Sequence, residues 1–183
     1  MKNIKKISAL LLLITLTMSI FTGCSEKSSY AKKQEGTYVA DTFEIDAPEG
    51  WMRNERYANQ VIFCTKDYPD DTKSYISVGW TDEAQLDVLR DYKDSIISNI
   101  LNSLEEQLGE NCGAAVNVYE DTEVNGFDCV HMVTAYTNEG MAFTQDSYTF
   151  DSSTGSVTLQ MVRAGGNEFA EAFDNTLNSI VIK

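Results

Sequence analysis

His131 is the only histidine in the chain, so any histidine-dependent chemistry must run through it. Its neighbours are set by a turn. Asn125-Gly126 lies between two alternating apolar segments, and a type I′ turn, which needs positive φ at both central residues, favours such a dipeptide. With Val124 facing Phe127 across this turn, Glu120 falls opposite His131. A three-residue loop at Asn138-Glu139-Gly140 then puts Ser147 opposite His131 on the following strand. Facing Cβ atoms on adjacent strands are about 4.5–5.5 Å apart. Carboxylate, imidazole and hydroxyl would thus form a row in the order of a serine hydrolase triad. Two points weigh against catalysis. A mid-strand serine has its neighbouring N–H groups committed to the ladder, leaving no oxyanion donors beside it. A two-residue turn, moreover, would place Tyr148 opposite His131 instead. The row is expected to be structural, with Glu120 satisfying a half-buried histidine.

Other reactive residues form weaker patterns. Cys64, Cys112 and Cys129 are an odd number beyond Cys24, which argues against a full disulfide framework. The hairpin register sets Cys129 opposite Thr122 and Cys112 opposite Glu139, so a bridge between Cys112 and Cys129 would break the ladder. A bridge involving Cys64 stays open, but thiols in a core are the expectation. No CxxC pair is present, which removes zinc-ribbon and thioredoxin-type sites. Asp121-x-Glu123-x-Asn125-Gly126 matches the start of an EF-hand loop, but its twelfth position, where a bidentate Glu is required, is Met132. Asp67, Asp70 and Asp71 make a vaguer cation candidate. Trp51, Tyr57, Tyr75 and Trp80 read as core and rim aromatics before they read as a ligand pocket. Gly165-Gly166 is too short for a phosphate cradle, and neither HExxH nor GxSxG occurs. No metal or cofactor is expected.

The N-terminus carries the sharpest chemical signal. Lys2, Lys5 and Lys6 precede an uninterrupted apolar or small stretch from Ile7 to Phe21. At about 15 residues it is shorter than the roughly 20 that span a bilayer, so it is read as a signal peptide. It ends Phe21-Thr22-Gly23-Cys24, which resembles a lipobox, with Phe where Leu is usual. The resemblance implies that Cys24 receives a diacylglyceryl thioether and becomes the mature N-terminus. The competing reading is an ordinary secretory signal with a cysteine at its cleavage site. Two acyl chains suffice for stable anchoring.

Removing residues 1–23 leaves 160 of 183, the length of one domain, and takes away three lysines but no acid. The remainder carries 11 basic against 28 acidic side chains, a net −17. Such a charge opposes binding to nucleic acid or anionic lipid. The simplest reading of the acidity is a solvated surface that keeps the domain soluble and monomeric. Residues 24–36 are expected to be the lipidated cysteine and a flexible polar tether. Lys27, Lys32 and Lys33 in this segment lie close enough to the bilayer to add weak attraction.

Residues 37–183 show no repeat and read as a single α+β domain. Short strands are expected at Thr42–Asp46, Val61–Thr65 and Ser74–Gly79. A long helix follows from about Asp82 to Leu108, with Thr81 as N-cap and Gly109 at C′. Its apolar stripe, Leu86 to Leu108, spans about 140° and faces a sheet more plausibly than a membrane. A four-strand meander comes next: Ala114–Val124, Phe127–Thr137, Met141–Phe150 and Ser156–Arg163. The second of these is apolar on both faces and should be central. A short helix at Asn167–Asn178 and a strand at Ile180–Ile182 close the chain. This gives an antiparallel sheet of about six to seven strands with one long and one short helix.

The opening Phe43–Trp51 (FEIDAPEGW), the strand pair and long helix, the meander, and the close Phe169–Ile182 (FAEAFDNTLNSIVI) resemble the PsbP/Mog1-like superfamily. That group includes DcrB-like and LpqN-like bacterial lipoproteins. The resemblance covers nearly the whole domain and implies an antiparallel sheet between helices, in a sandwich. It supplies no catalytic residues, since its members are assembly factors, accessory subunits and uncharacterised lipoproteins. The expected function is therefore a non-catalytic binding or accessory protein, lipid-anchored outside the cytoplasmic membrane and acting on an envelope protein partner. The alternatives are a substrate- or ion-binding lipoprotein serving a transporter, and a serine hydrolase using Ser147, His131 and Glu120.

Overall fold

The computed structural model describes residues 31–166 and 168–183. The leader, Cys24 and the segment up to Tyr30 lie outside the described residues, as do Asn167 and the side chains of Ala31, Arg56 and Tyr57. The chain runs β1 (Ala31–Lys33), β2 (Thr37–Val39), β3 (Phe43–Asp46), β4 (Met52–Tyr57), β5 (Gln60–Cys64), β6 (Tyr75–Thr81), α1 (Leu86–Asp91) and α2 (Lys93–Leu108). A 3-10 turn at Glu110–Cys112 leads to β7 (Ala115–Val124), β8 (Phe127–Asn138), β9 (Met141–Ser152), β10 (Gly155–Ala164), α3 (Ala170–Ser179) and β11 (Val181–Ile182).

Among the described residues, eight strands form one sheet in the order β1-β4-β5-β6-β10-β9-β8-β7, and three form a second, β11-β3-β2. Every paired neighbour is antiparallel. The α+β class holds, but six to seven strands was too few. The missed strands, such as Ala-Lys-Lys at β1 and Met-Arg-Asn-Glu-Arg-Tyr at β4, are polar and lack alternation. They are strands because a neighbour offers a free edge, which no local pattern announces. Within the segment expected to be a flexible tether, Ala31–Lys33 pairs with Met52–Asn54, and the Gln34 N–H donates to the Trp51 carbonyl.

The large sheet is covered on both faces. On one, Leu86, Leu89, Ile96, Ile100 and Leu104 of the helices pack on Ile62, Tyr75, Val130, Met132 and Val162. On the other, Phe43, Ile45, Phe173 and Ile180 pack on Val61, Phe63, Ile76, Cys129, Phe150 and Leu159. The helical stripe therefore docks on a sheet, and its opposite face (Asp94, Ser98, Asn102, Glu105) is exposed. The helix starts at Leu86 and not at Asp82, because Thr81 is the last residue of β6. Its first N–H groups are capped from elsewhere: Asp151 of β9 accepts from the Gln85 and Leu86 amides at 2.8 and 3.2 Å. That is the capping chemistry expected locally, supplied across the fold. A second departure is Tyr92, whose backbone (φ −116°, ψ 25°) interrupts the helix between α1 and α2.

The face beneath the helices is not wholly apolar. Gln60, Ser77, Gln160, Ser147, Gln145 and Thr134 all point to it, and none is more than 7% exposed. Gln60 donates to Ser77 at 2.8 Å and Gln145 to Ser147 at 3.3 Å. The side-chain oxygens of Gln160 and Thr134 have no protein partner.

The meander has its four strands in the expected order, although β8 lies next to the edge strand and not centrally, and its first turn does double duty. Asn125 (φ 56°) and Gly126 (φ 85°) form the positive-φ pair. The Asn125 amide also donates to the carbonyls of Leu177, Asn178 and Ile180, satisfying the end of α3. Replacing Asn125-Gly126 by Ala-Ala should cost about 1–3 kcal/mol by urea denaturation, since both residues must then hold positive φ. Asn125→Gly keeps the turn and loses only the α3 contacts, so it should cost about 1 kcal/mol.

Candidate functional site

Beyond α3 the second face of the large sheet is only partly covered, and the sole histidine lies there. Glu120 faces His131 as the hairpin requires. His131 faces Tyr148, whereas Ser147 faces Met132. The proposed Glu120–His131–Ser147 row is thus overturned. Asn138 pairs with Met141, so the loop is a two-residue turn, Glu139 (φ 51°) and Gly140 (φ 78°). A glutamate in the left-handed region is uncommon; here its carboxylate meets Lys73 at 3.5 Å. The one-residue difference in loop length moves Ser147 to the opposite face, under the helices.

What surrounds His131 is an ion-pair cluster. Its ring stacks on Tyr148 with centroids 4.3 Å apart and planes 6° from parallel. Nδ1 is 3.5 Å from Glu120 Oε1, and Nε2 is 3.5 Å from Asp146 Oδ1. The Nε2 contact lacks hydrogen-bond alignment, so it is better regarded as an electrostatic approach. Arg163 of β10 bonds the other oxygen of Asp146. Burial pushes the Asp146 carboxyl up, but His131 and Arg163 together outweigh it and hold it below its ordinary value of 3.8. Burial, assisted by Asp146, pushes the Tyr148 phenol up to about 12. Asp146 and Arg163 form an ion pair, and the carboxylates of Glu120 and Asp146 approach the two nitrogens of the imidazole. The cluster can hold strands together and present a charged patch to a partner. Asp146 and Arg163 were missed from the sequence, because only the two-residue turn aligns them with His131.

The other candidates resolve individually. Cys129 is fully buried, and burial raises its thiol to about 11, which keeps it protonated and inert. Cys112 lies in the core on the opposite face of the sheet, so no bridge joins it to Cys129. Asp121 pairs with Arg90 at 2.5 Å and Asn125 turns to α3, so the EF-hand resemblance is a hairpin. In the Asp67/Asp70/Asp71 loop, Asp71 accepts from Thr65 and the Thr72 amide, and Asp67 meets Lys66. No three metal-ligating side chains converge among the described residues. Trp51 packs edge-on against Phe169 and Phe173, Trp80 packs on Phe43, and Tyr75 is 1% exposed, so these aromatics serve the core. An open cleft of about 630 Å³ lies where the β1–β2 link meets the β3–β4 loop, with Glu35, Asp46 and Glu49 against the single cation Lys33 among its described residues. Its inner wall is tied by Thr37 donating to Asp46 at 2.6 Å and by Gln34 to the Gly36 carbonyl at 2.8 Å.

Asp146→Asn tests the cluster. A carboxyl held below its unfolded value contributes stability above that value and loses it as pH falls through the lowered one. The variant should be about 2–3 kcal/mol less stable at pH 7, and the gap to wild type should close as the pH drops below about 4. A gap that is unchanged at pH 3 in urea titrations would assign the loss to packing.

No protein-family model and no curated protein matches the sequence. The fold does have solved counterparts. Cyanobacterial PsbP (CyanoP) from Synechocystis sp. PCC 6803 superposes with a TM-score of 0.60 at 13% identity, over 88% of this chain and 96% of that one. A Pseudomonas aeruginosa protein, PA94, gives 0.51 at 15% identity, over 80% and 96%. A crystal structure from Bacteroides thetaiotaomicron gives 0.55 at 13% identity; this chain covers 49% of that protein, about half its length, with 82% of its own. Identities this low speak to architecture alone. Eight strands sandwiched between a helix pair and a small sheet with its helix make a PsbP-like fold.

Proposed function

We propose that the chain is a lipid-anchored, non-catalytic binding or accessory protein of the cell envelope, held outside the cytoplasmic membrane through Cys24. The observation that carries the non-catalytic part is the position of Ser147, which pairs with Met132 and faces the helices while His131 faces Tyr148 on the other side of the sheet. The basic, apolar leader ending Thr22-Gly23-Cys24 supports the anchor. From Cys24 to Ala31 there are seven residues, at most about 25 Å of chain. An anchor at Cys24 would therefore hold the β1 edge and the acidic cleft beside it close to the membrane, with the opposite end of the sheet directed away. Among the described residues no helix is long and apolar enough to cross a membrane. The partly covered face around His131 mixes Val118, Val133 and Ala135 with charges, a composition suited to contact with another protein.

Two measurements test this. Wild-type protein should enter the detergent phase on Triton X-114 partitioning, and Cys24→Ser should stay aqueous, because only the thiol forms the thioether. Equal aqueous partitioning of both sinks the anchor. A fluorophosphonate probe should leave the protein unlabelled; labelling abolished by His131→Ala with the circular dichroism spectrum intact would make it an enzyme.

A further inference from the structure

A belt of neutral polar side chains lies buried beneath the helix pair. Ser77, Gln160 and Ser147 face one another in register across β6, β10 and β9. Gln60 extends the row by bonding Ser77, and on the far side Gln145 faces Thr134 of β8. One row away, Thr149 and Thr158 share a hydrogen bond of 3.0 Å. These side chains cover five neighbouring strands, about 19 Å at the usual strand spacing. All are neutral, and no charged side chain interrupts them. Their unpaired atoms are oxygens: Gln60 Oε1, Gln160 Oε1 and Thr134 Oγ1 each lack a protein partner. The rings of Tyr75, Tyr136 and Phe143 border the belt, and the Tyr136 hydroxyl is a further group without a protein partner.

We infer that this belt binds a neutral, polyhydroxylated ligand, of mono- to disaccharide size or a segment of a longer glycan. A layer with unpaired amide oxygens and hydroxyls and no charge selects an uncharged ligand that both donates and accepts hydrogen bonds, which is the chemistry of sugar hydroxyls. Ring faces at its margin suit the C–H faces of a pyranose. Phosphates, amines and carboxylates would lose their hydration without gaining a counter-charge. Access to the belt requires α2 to move, and the non-helical Tyr92 on one side with Gly109 (φ 89°) and Gly113 (φ 59°) on the other are the places where it would hinge. The inference goes beyond the accessory role and is independent of the anchor.

The test uses the full-length chain in a sugar-free detergent, with N-acetylglucosamine, maltose, cellobiose and chitobiose as probes and glycine betaine as osmolyte control. At least one probe should bind saturably by calorimetry. Hydrogen exchange should slow in β6, β9 and β10 around Ser77, Ser147 and Gln160. Gln160→Leu and Ser77→Ala should each weaken that binding at least tenfold, and Gln160→Leu should unfold at the same or a higher urea concentration, having lost an unpaired acceptor. Affinity that rises from N-acetylglucosamine to chitobiose identifies an envelope glycan; equal affinities for the two identify a free sugar. The inference is overturned if no probe binds saturably, or if binding survives both substitutions, which would leave ordered water as the belt's partner.

Discussion

The type I′ turn at Asn125-Gly126 fixes the pairing of β7 with β8, and much of the fold depends on that register. Side chains alternate with a period of two, so a slip of one residue would exchange the faces of a whole strand. In the observed register Cys129 and Phe150 meet the small sheet and α3, while Val130, Met132 and Tyr136 meet the helix pair. The same asparagine binds three carbonyls at the end of α3. Hairpin, last helix and second core are thus tied at one residue. A second positive-φ turn, Glu139-Gly140, transmits the register to β9.

A sheet covered on both faces has to manage the polar groups it buries. On the small-sheet side it does so with charge: Asp146 is balanced by Arg163 and approached by His131. On the helix side it uses neutral amides and hydroxyls, some paired with one another and some not. Each unpaired buried acceptor costs about 1–3 kcal/mol relative to a satisfied one. Apolar residues of similar size would make a more stable layer. The two faces therefore differ in kind, one held by a core with an ionic margin and the other by a core with a polar centre.

The Glu120–His131 contact was legible in the sequence because a two-residue Asn-Gly turn leaves one natural register. The partner on the third strand was not. Asn138-Glu139-Gly140 accommodates either a two- or a three-residue loop, and local composition does not choose between them; Lys73, sixty-six positions earlier, meets the Glu139 that the shorter loop places at its tip. Asp146 and Arg163 escaped for the same reason. The helix start illustrates a related gap: Thr81 is a sound N-cap by type, but it is spent in β6, and Asp151 supplies the cap from across the sheet.

Composition, leader and periodicity by themselves determined an acidic chain with a signal-like N-terminus, a single α+β domain, a helix with one apolar stripe and the four long strands in order. These are local properties, set by dihedral preference and by which residues leave water. The tertiary structure alone decided the rest: that polar β1 and β4 are strands because an edge was free, that Ser147 lies under the helices and away from His131, and that neutral polar side chains from five strands converge in one buried belt. Such features arise from residues far apart in the chain, whose proximity depends on register and layering and leaves no signature in any short stretch of sequence.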